Sequence, residues 1–473
     1  MTAASIAEMN DLLARQRAAF LAEPNRSLKA RREDLKKIEA ITLDNQQAWV
    51  EAVSADFGHR NALETRLLEL SVVARGIKDM RHKLAGWMKP QKVSTPLMSM
   101  PGRSYVRPDP KGVVGIVSPW NYPVQLALLP LATALAAGNR VMLKPSELTP
   151  NTSALMSKLL AEIFPAERVS VLEGGPDLAE AFCALPLDHI FYTGSTRVGR
   201  SVAAAAGNNL VPVTLELGGK SPALVSPDYS IDDAAHAIAW GRFLNAGQTC
   251  VAVDHVMAIG DAERARTIGH AVAQKAETFY PDFADNPDYT TVIAGQHFAR
   301  LESMVEEARA AGAEILQPAH DPDAVRATRK FPPTVVINPP ENLRLMREEI
   351  FGPVLPVLSK PSFDAAIETV NAGDRPLALY VFSDKSSEIE HVLDHTHSGG
   401  VTINNAMLHV ANDALPFGGN GPSGQGAYHG KFGFDELTHQ RAVFRVGRWH
   451  TTRLVAPPYG KRAKSITDLA LKL

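Results

Sequence analysis

Short β-branched runs alternate with helical segments between Gly112 and Leu217, and this alternation constrains the fold more than any other feature. The runs GVVGIVSP, RVMLKP, VSVLEG, HIFYTG and VPVTLEL are almost continuously apolar, as is typical of strands buried on both faces. The segments between them predict helices: PVQLALLPLATALAAG, TSALMSKLLAEIF, DLAEAFCAL and STRVGRSVAAAAG. We therefore predict βαβ units in a parallel sheet, which binds ligands beyond the carboxyl ends of its strands.

The segments on either side of this region predict further parts. Apolar positions every three or four residues predict helices near the N-terminus, and the charged run KARREDLKK (29–37) predicts a solvated helix face. Lys92–Pro110, rich in Pro and Ser, predicts a protruding hairpin or linker. A second α/β section follows Glu216 and runs to about residue 437. A strand, RAVFRVG, and a basic tail come last.

Composition excludes several classes of protein. The 473 residues are 45% hydrophobic with a net charge of −2, which predicts two or three globular domains and no binding to nucleic acid or membrane surfaces. The longest apolar run, Pro123–Gly138, is too short to span a bilayer and predicts a core helix. Two cysteines exclude a disulfide framework and favour the reducing cytoplasm, and the N-terminus lacks the pattern of a secretory signal.

Polar residues follow several of the predicted strands, at the edge where a ligand would bind. FYTGSTRVGR starts a helix whose free N–H groups suit a pyrophosphate, although Thr196 replaces the middle glycine of G-x-G-x-x-G and an ordinary serine-capped helix is the alternative. Lys144 and Glu147 of KPSE could bind ribose hydroxyls or form a surface ion pair. Asn121 of SPWNYP could donate to an oxyanion or fix a turn.

Two further residues are candidates for the chemistry itself. Glu216 of LELGGKSP ends an apolar strand, where burial would raise its pKa towards that of a general base, unless backbone N–H groups satisfy a structural carboxylate. Cys250 closes NAGQTC and needs a proton acceptor to form thiolate near neutral pH, yet no histidine flanks it. Cys183 lies on an apolar predicted helix, so we expect it to be a core residue.

Two other chemistries have little support. His391 and His395 of HVLDHTH are four residues apart, but Val392 stands where zinc proteases have glutamate, so no metal site is predicted. No G-x-S-x-G elbow is present, which argues against a serine hydrolase.

The motifs SPWNYP, KPSE, FYTGSTRVG, LELGGKSP, NAGQTC, EEIFGPVLP and LPFGG occur in the order and spacing of aldehyde dehydrogenases, which the chain resembles over essentially its whole length. GAYHGKFGF resembles the ending of the class-3-like branch, and ADFGHR with NAGQTCVAVDHV is similar to bacterial coniferyl aldehyde dehydrogenases. The resemblance implies an α/β fold with a Rossmann-type parallel-sheet cofactor domain, an α/β catalytic domain and a β-flap oligomerisation element. The implied boundaries are 1–91 with 111–217, 218–437, and 92–110 with 438–473.

The resemblance also implies roles at matching positions. Cys250 resembles the nucleophile, Glu216 the general base, and Asn121 with the backbone N–H of Cys250 the oxyanion hole. The implied cofactor contacts are Trp120, Lys144, Glu147, Gly194, Ser195, Val198, Leu217, Glu349 and Phe351. The implied walls of the substrate tunnel are Tyr122, Thr249, Val251 and Phe417.

The implied activity is oxidation of a small-molecule aldehyde, aromatic and coniferyl-like, to its acid by a cytoplasmic homodimer. Glu147 could bind a free ribose diol and would repel a 2′-phosphate, which favours NAD, with NADP as the alternative. An aliphatic substrate range, CoA as acyl acceptor, a cofactor-independent thiol esterase using Cys250 and Glu216, and a non-catalytic scaffold stay open as other interpretations.

Overall fold

Helices and strands alternate along the chain as the sequence predicts. The computed structural model describes residues 3–96, 99–448, 450 and 452–471. The helices are α1 (Ala3–Ala22), α2 (Leu28–Asp44), α3 (Gln46–Phe57), α4 (Ala62–Thr65), α5 (Ser71–Trp87), α6 (Gln125–Ala137), α7 (Pro150–Ile163), α8 (Pro176–Cys183), α9 (Thr196–Asn208), α10 (Ile231–Phe243), α11 (Ala262–Phe279), α12 (Gly295–Ala310), α13 (Pro322–Thr328), α14 (Arg344–Arg347), α15 (Phe363–Ala372), α16 (Ser386–His395), α17 (Gly430–Glu436), α18 (Thr452–Val455) and α19 (Lys461–Ala470). The strands are β1 (Gln91–Val93), β2 (Arg103–Pro110), β3 (Val113–Val117), β4 (Arg140–Lys144), β5 (Val169–Val171), β6 (His189–Thr193), β7 (Val213–Glu216), β8 (Pro222–Val225), β9 (His255–Ile259), β10 (Glu314–Leu316), β11 (Thr334–Ile337), β12 (Val354–Lys360), β13 (Ala378–Phe382), β14 (Gly400–Ile403), β15 (Gly424–Gln425) and β16 (Thr438–Arg445).

The first sheet is formed by the alternating region, and its strand order is β15-β7-β6-β3-β4-β5. The five predicted strands pair in parallel, and α6 to α9 connect them, so the prediction of βαβ units is confirmed. β15 pairs antiparallel with the end of β7, opposite Glu216. Residues 424–436 thus return to the first sheet, since α17 also packs on α5 and α6, whereas the boundary drawn from the sequence grouped them with the second section.

The second section forms a separate sheet with the order β10-β11-β12-β9-β8-β13-β14. All neighbours in it are parallel except the edge strand β10. The central strands β8, β9 and β13 are buried at every residue, as expected when helices cover both faces.

A three-stranded antiparallel sheet, β1-β2-β16, forms the flap. β2 and β16 pair from Thr438 opposite Pro110 to Arg445 opposite Arg103. The predicted hairpin over Lys92–Pro110 and the RAVFRVG strand are therefore confirmed, although residues 97–98 of the hairpin lie outside the described residues.

The apolar helix α6 is a core helix, as predicted, because all of its residues after Gln125 are buried. Cys183 is buried too, and burial raises the pKa of its thiol to about 11, which confirms it as a core residue. Within the part of the chain that the structure describes, no helix is both long and apolar enough to cross a membrane.

The prediction that KARREDLKK is a solvated helix face was wrong for part of the run. Arg31 and Asp34 on α2 are buried. Arg31 Nη1 donates to Ala136 O at 3.0 Å, and Asp34 Oδ2 accepts from Arg168 Nη2 at 2.7 Å. These partners lie more than a hundred residues away along the chain, so the local charge pattern could not reveal them.

Candidate active site

Cys250 follows a tight turn whose backbone is left-handed at three successive residues. The φ angles are 52° at Asn245, 50° at Ala246 and 70° at Gly247. Two of these residues carry a Cβ, which disfavours this conformation, so other contacts must hold the turn. A Cβ on Gly247 would lie 2.3 Å from Gly352 O, so the turn packs directly against the EEIFGPV segment.

Side-chain amides hold this turn in place. Asn245 Nδ2 donates to Gln248 O and to Asn121 O, both at 3.1 Å. Gln248 Nε2 donates to Asn245 O and Thr291 O at 3.0 Å, and Gln248 Oε1 accepts from Ile293 N at 2.9 Å. Sequence reasoning gave these two amides no role, although both belong to the NAGQTC motif.

The structure brings SPWNYP onto the thiol turn. Asn121 is buried, and its Nδ2 donates to Gln248 O at 3.1 Å. Tyr122 OH and Thr249 Oγ1 are 2.7 Å apart. Because a carboxamide nitrogen has two N–H groups, the bond to Gln248 fixes the amide plane and leaves the second N–H for a ligand oxygen.

Glu216 lies at the carboxyl end of β7 with 2% of its surface exposed. Neither carboxylate oxygen has a hydrogen-bond partner among the described residues, so the interpretation of a structural carboxylate satisfied by backbone N–H groups is wrong. Burial, and then the charge of Glu436, raise the pKa of Glu216 well above its usual value. A buried polar group without a partner is rare in structural positions and suggests a functional one.

Three acidic groups share the site. Burial, followed by the charges of Glu349 and Glu216, raises the pKa of the Cys250 thiol to about 12, against backbone hydrogen bonds that lower it. Burial, followed by the charge of Asp254, raises the pKa of Glu349 to about 7. The thiol is therefore protonated at neutral pH, and the two carboxyl groups are its potential proton acceptors.

The predicted cofactor residues lie at or after the carboxyl ends of neighbouring strands of the first sheet, except Glu349 and Phe351, which precede β12 of the second sheet. Lys144 ends β4, and its Nζ donates to Glu147 Oε2 at 2.9 Å. After β6, Ser195 Oγ accepts from Val198 N at 3.4 Å and caps α9, so the serine-capped helix is present at the edge that would also receive a pyrophosphate. Trp120 follows β3 and packs edge-on against Phe351 at 5.3 Å.

The residues present fit a dinucleotide. Glu349 Oε1 is buried without a hydrogen-bond partner in the described part of the chain, and ribose hydroxyls could supply the missing donors. A Cβ on Gly218 would lie 2.1 Å from Glu349 Oε2, so this glycine makes room for the carboxylate. A Cβ on Gly199 would lie 2.5 Å from Leu217, which gives Gly199 the packing role of the last glycine in a dinucleotide fingerprint.

The predicted tunnel residues are held by aromatic side chains that sequence reasoning missed. Phe417 stacks on His429 at 5.1 Å and meets Tyr428 edge-on at 5.5 Å. Burial raises the pKa of Tyr428, and the charges of Glu216 and Cys250 raise it further, so this ring lies close to the chemistry. Tyr380 OH donates to Val251 O. The motif GAYHGKFGF contains Tyr428 and was the available signal.

The histidine pair has its own partners. His391 Nε2 bonds Asp364 Oδ1 at 2.6 Å, and His395 Nδ1 lies 2.8 Å from His391 O. Among the residues that the structure describes, no group of three or more His, Cys, Asp and Glu side chains is placed to hold a metal ion.

Comparison with known proteins adds to this geometry. The aldehyde dehydrogenase family matches residues 1–443. The "Probable coniferyl aldehyde dehydrogenase" of Pseudomonas aeruginosa is 44% identical over 99% of this chain and 96% of that protein. The substrate-bound structure of Staphylococcus aureus AldH has a TM-score of 0.92 at 36% identity, over 98% of this chain and 99% of that one. A Mycobacterium tuberculosis aldehyde dehydrogenase complexed with NAD+ has a TM-score of 0.83 at 26% identity, over 93% and 90%. The chain belongs to the aldehyde dehydrogenase family and is an NAD(P)-dependent aldehyde dehydrogenase.

Proposed function

We propose that the enzyme oxidises aromatic aldehydes, coniferyl aldehyde among them, to carboxylic acids through a covalent adduct on Cys250. One observation carries the proposal: a partly buried thiol and an unpartnered buried carboxyl, Glu216, share a site with the amide of Asn121. The relative named for coniferyl aldehyde, 44% identical over nearly the whole chain, supports the aromatic class.

The first step is attack on the aldehyde. Cys250 passes its proton to a carboxylate of the site, and the sulfur bonds to the carbonyl carbon. The oxygen becomes an oxyanion that accepts hydrogen bonds from the second N–H of Asn121 and from the backbone N–H of Cys250. Both donors are fixed before the charge develops, which is what makes such donors effective.

The second half of the reaction releases the acid. A bound nicotinamide would supply the hydride acceptor, and loss of hydride from the adduct carbon leaves an acyl thioester on Cys250. Glu216 then takes a proton from the water that attacks this thioester, the C–S bond breaks, and the sulfur leaves as thiolate. The raised pKa of Glu216 makes its carboxylate a stronger proton acceptor than an exposed glutamate.

We propose NAD as the preferred cofactor. The Glu147 side chain is 40% exposed and pairs with buried Lys144, so it offers a carboxylate at the sheet edge. Such a carboxylate accepts hydrogen bonds from a ribose diol and repels a 2′-phosphate, which should raise the KM for NADP above that for NAD.

Steady-state kinetics with coniferyl aldehyde, benzaldehyde and hexanal, each with NAD and with NADP, test the proposal. We expect the highest kcat/KM with the aromatic aldehydes and NAD, and no turnover by the Cys250→Ala variant. A preference for hexanal would refute the aromatic class. Turnover without cofactor would favour a thiol esterase. Formation of acyl-CoA on adding CoA would show that CoA replaces water as the acyl acceptor.

We further propose a cytoplasmic homodimer assembled through the flap. Phe444 on β16 and Val446 after it are exposed apolar side chains on this sheet, as expected of a surface that a second copy covers. Light scattering at micromolar concentration should give twice the chain mass, and a monomer would contradict the proposal. Fractionation of the source cells tests the compartment.

A further inference from the structure

A fully buried arginine lies next to the candidate oxyanion hole. The side chain of Arg60, the last residue of ADFGHR, has no exposed surface. Its Nη1 donates to Glu69 Oε1 at 2.8 Å and to the backbone oxygen of Asn121 at 3.3 Å. The guanidinium lies over the rings of Phe57 and Tyr122, 5.2 and 4.8 Å from their centroids. Its Nε and Nη2 have no hydrogen-bond partner in the described part of the chain. A buried cation with unpaired N–H groups is a costly way to stabilise a core.

Glu69, the partner of Arg60, contacts the other end of the loop that contains Asn121. Glu69 Oε2 accepts from Val124 N at 2.7 Å and from Gln125 N at 3.1 Å. Arg60 and Glu69 therefore form hydrogen bonds to this loop at two places, at Asn121 and where α6 begins. Both contacts are made to the backbone of the loop that carries the Asn121 side chain.

A second branch connects the arginine to the thiol turn. Arg60 Nε lies 3.8 Å from Glu64 Oε2. Glu64 Oε1 accepts from Asn245 N at 3.1 Å, and its Oε2 accepts from Thr290 Oγ1 at 2.6 Å. Asn245 Nδ2 in turn donates to Asn121 O, the same carbonyl that Arg60 contacts. One backbone oxygen is thus shared by the arginine and by the turn that carries the thiol.

We propose that Arg60 is a positioning residue that keeps the oxyanion-hole amide of Asn121 in register with the thiol turn. It does not touch the reacting atoms and acts through Asn121 and Asn245. A lysine could keep the charge beside Glu69, but it lacks the planar guanidinium that lies against the Tyr122 ring while its Nη1 donates to both acceptors. The inference rests on the proposed function, because it assigns Asn121 the oxyanion.

The first test is Arg60→Lys in the full-length enzyme. We expect kcat for benzaldehyde to fall by about 10- to 100-fold, because misplacing a catalytic donor by about 1 Å has that effect. The KM for NAD should stay within about twofold, since every implied cofactor residue except Trp120 lies outside SPWNYP.

The matched control is Arg168→Lys. Arg168 is also a buried arginine that donates to a carboxylate, Asp34 at 2.7 Å, and to a backbone carbonyl, Asn139 O at 2.8 Å, but it precedes β5 at the far edge of the first sheet. We expect this variant to lose thermal stability and to keep its kcat. An equal loss of kcat in both variants would show that Arg60 is only structural and would overturn the proposal.

A double-mutant cycle shows whether Arg60 acts through Asn121. Asn121→Ala alone should lower kcat by about 10²- to 10³-fold. In that background Arg60→Lys should cost less than about threefold more, because the donor that it positions is gone. Fully additive losses would overturn the proposal, as would a wild-type kcat for Arg60→Lys.

A second variant keeps the test open if Arg60→Lys does not fold. Glu69→Gln still accepts from Val124 and Gln125 but loses the charge that orients Arg60, and we expect kcat to fall about tenfold, again much less in the Asn121→Ala background. A wild-type kcat for this variant would count against the proposal. Failure of the proposed function looks different: the wild-type enzyme itself would then oxidise none of the aldehydes with NAD.

Discussion

Gly247→Ala should impair the enzyme at the turn that presents the thiol. Two separate costs follow from the structure. An alanine at a φ of 70° adopts a left-handed conformation that costs about 1–2 kcal/mol of stability. The new Cβ would also lie 2.3 Å from Gly352 O and 2.9 Å from Arg242 O, both backbone atoms, and such overpacking costs about 1–3 kcal/mol more.

Gly312→Ala separates the two costs, since Gly312 has a φ of 82° and no described atom lies within 4 Å of the position that its Cβ would take. Chemical unfolding should show a loss of about 1–2 kcal/mol for Gly312→Ala and about 2–5 kcal/mol for Gly247→Ala. Only Gly247→Ala should also lower kcat, by about 10- to 100-fold, because the turn and the EEIFGPV segment must move apart. Equal stability losses and an unchanged kcat in the two variants would refute the close contact between turn and segment.

Four other predictions follow from the carboxyl groups and the thiol. Glu216→Gln should reduce one NAD per site in a rapid burst and then stall as acyl-enzyme; sustained wild-type turnover in stopped-flow absorbance would refute its role as base. Wild-type stability should fall as pH rises above about 4.5 towards the raised pKa of Glu216, by up to about 1.4 kcal/mol per pH unit, and this contribution should be absent from unfolding curves of Glu216→Gln. Iodoacetamide should alkylate Cys250 of the cofactor-free enzyme about tenfold faster per pH unit up to about pH 10, because its pKa is about 12, and a plateau near pH 8 would contradict that pKa. Gly218→Ala should raise the KM for NAD by displacing the Glu349 carboxylate, whereas Gly175→Ala, with no described atom near its added Cβ, should not.

Local sequence patterns predict the sheet but not its long-range additions. β3, β4 and β6 are buried on both faces, so each of these strands has an apolar run that is visible by itself. β15 has only two residues, and its pairing with β7 joins positions about two hundred residues apart. The burial of Asp34 likewise depends on a partner, Arg168, that no local pattern connects to it.

The residues of the site likewise include some that the sequence predicts and others that only the structure reveals. Motif order gave Cys250, Glu216 and Asn121 as candidates, and the structure places the thiol in the electrostatic field of Glu216 and beside the loop of Asn121. Arg60 and Asn245 both donate to a backbone atom, Asn121 O. A backbone oxygen has no sequence signature, because every residue carries one, so these supports become visible only in coordinates.

Burial of the site disfavours a charge on either group alone, but it has little effect on proton transfer from the thiol to a carboxylate. Burial raises the pKa of Cys250 from 9.0 to about 12 and that of Glu349 from 4.5 to about 7, so the gap between thiol and carboxyl is about 5 in the site and 4.5 for the free groups. Passing the thiol proton to a carboxylate is therefore little harder than between the free groups, because the pocket holds one negative charge before and after the transfer. The same burial strengthens the hydrogen bonds that Asn121 and the Cys250 N–H would offer to an oxyanion, since they act at a lower dielectric than in water. Because these donors stabilise the adduct, burial should favour acylation overall despite raising the pKa of the nucleophile.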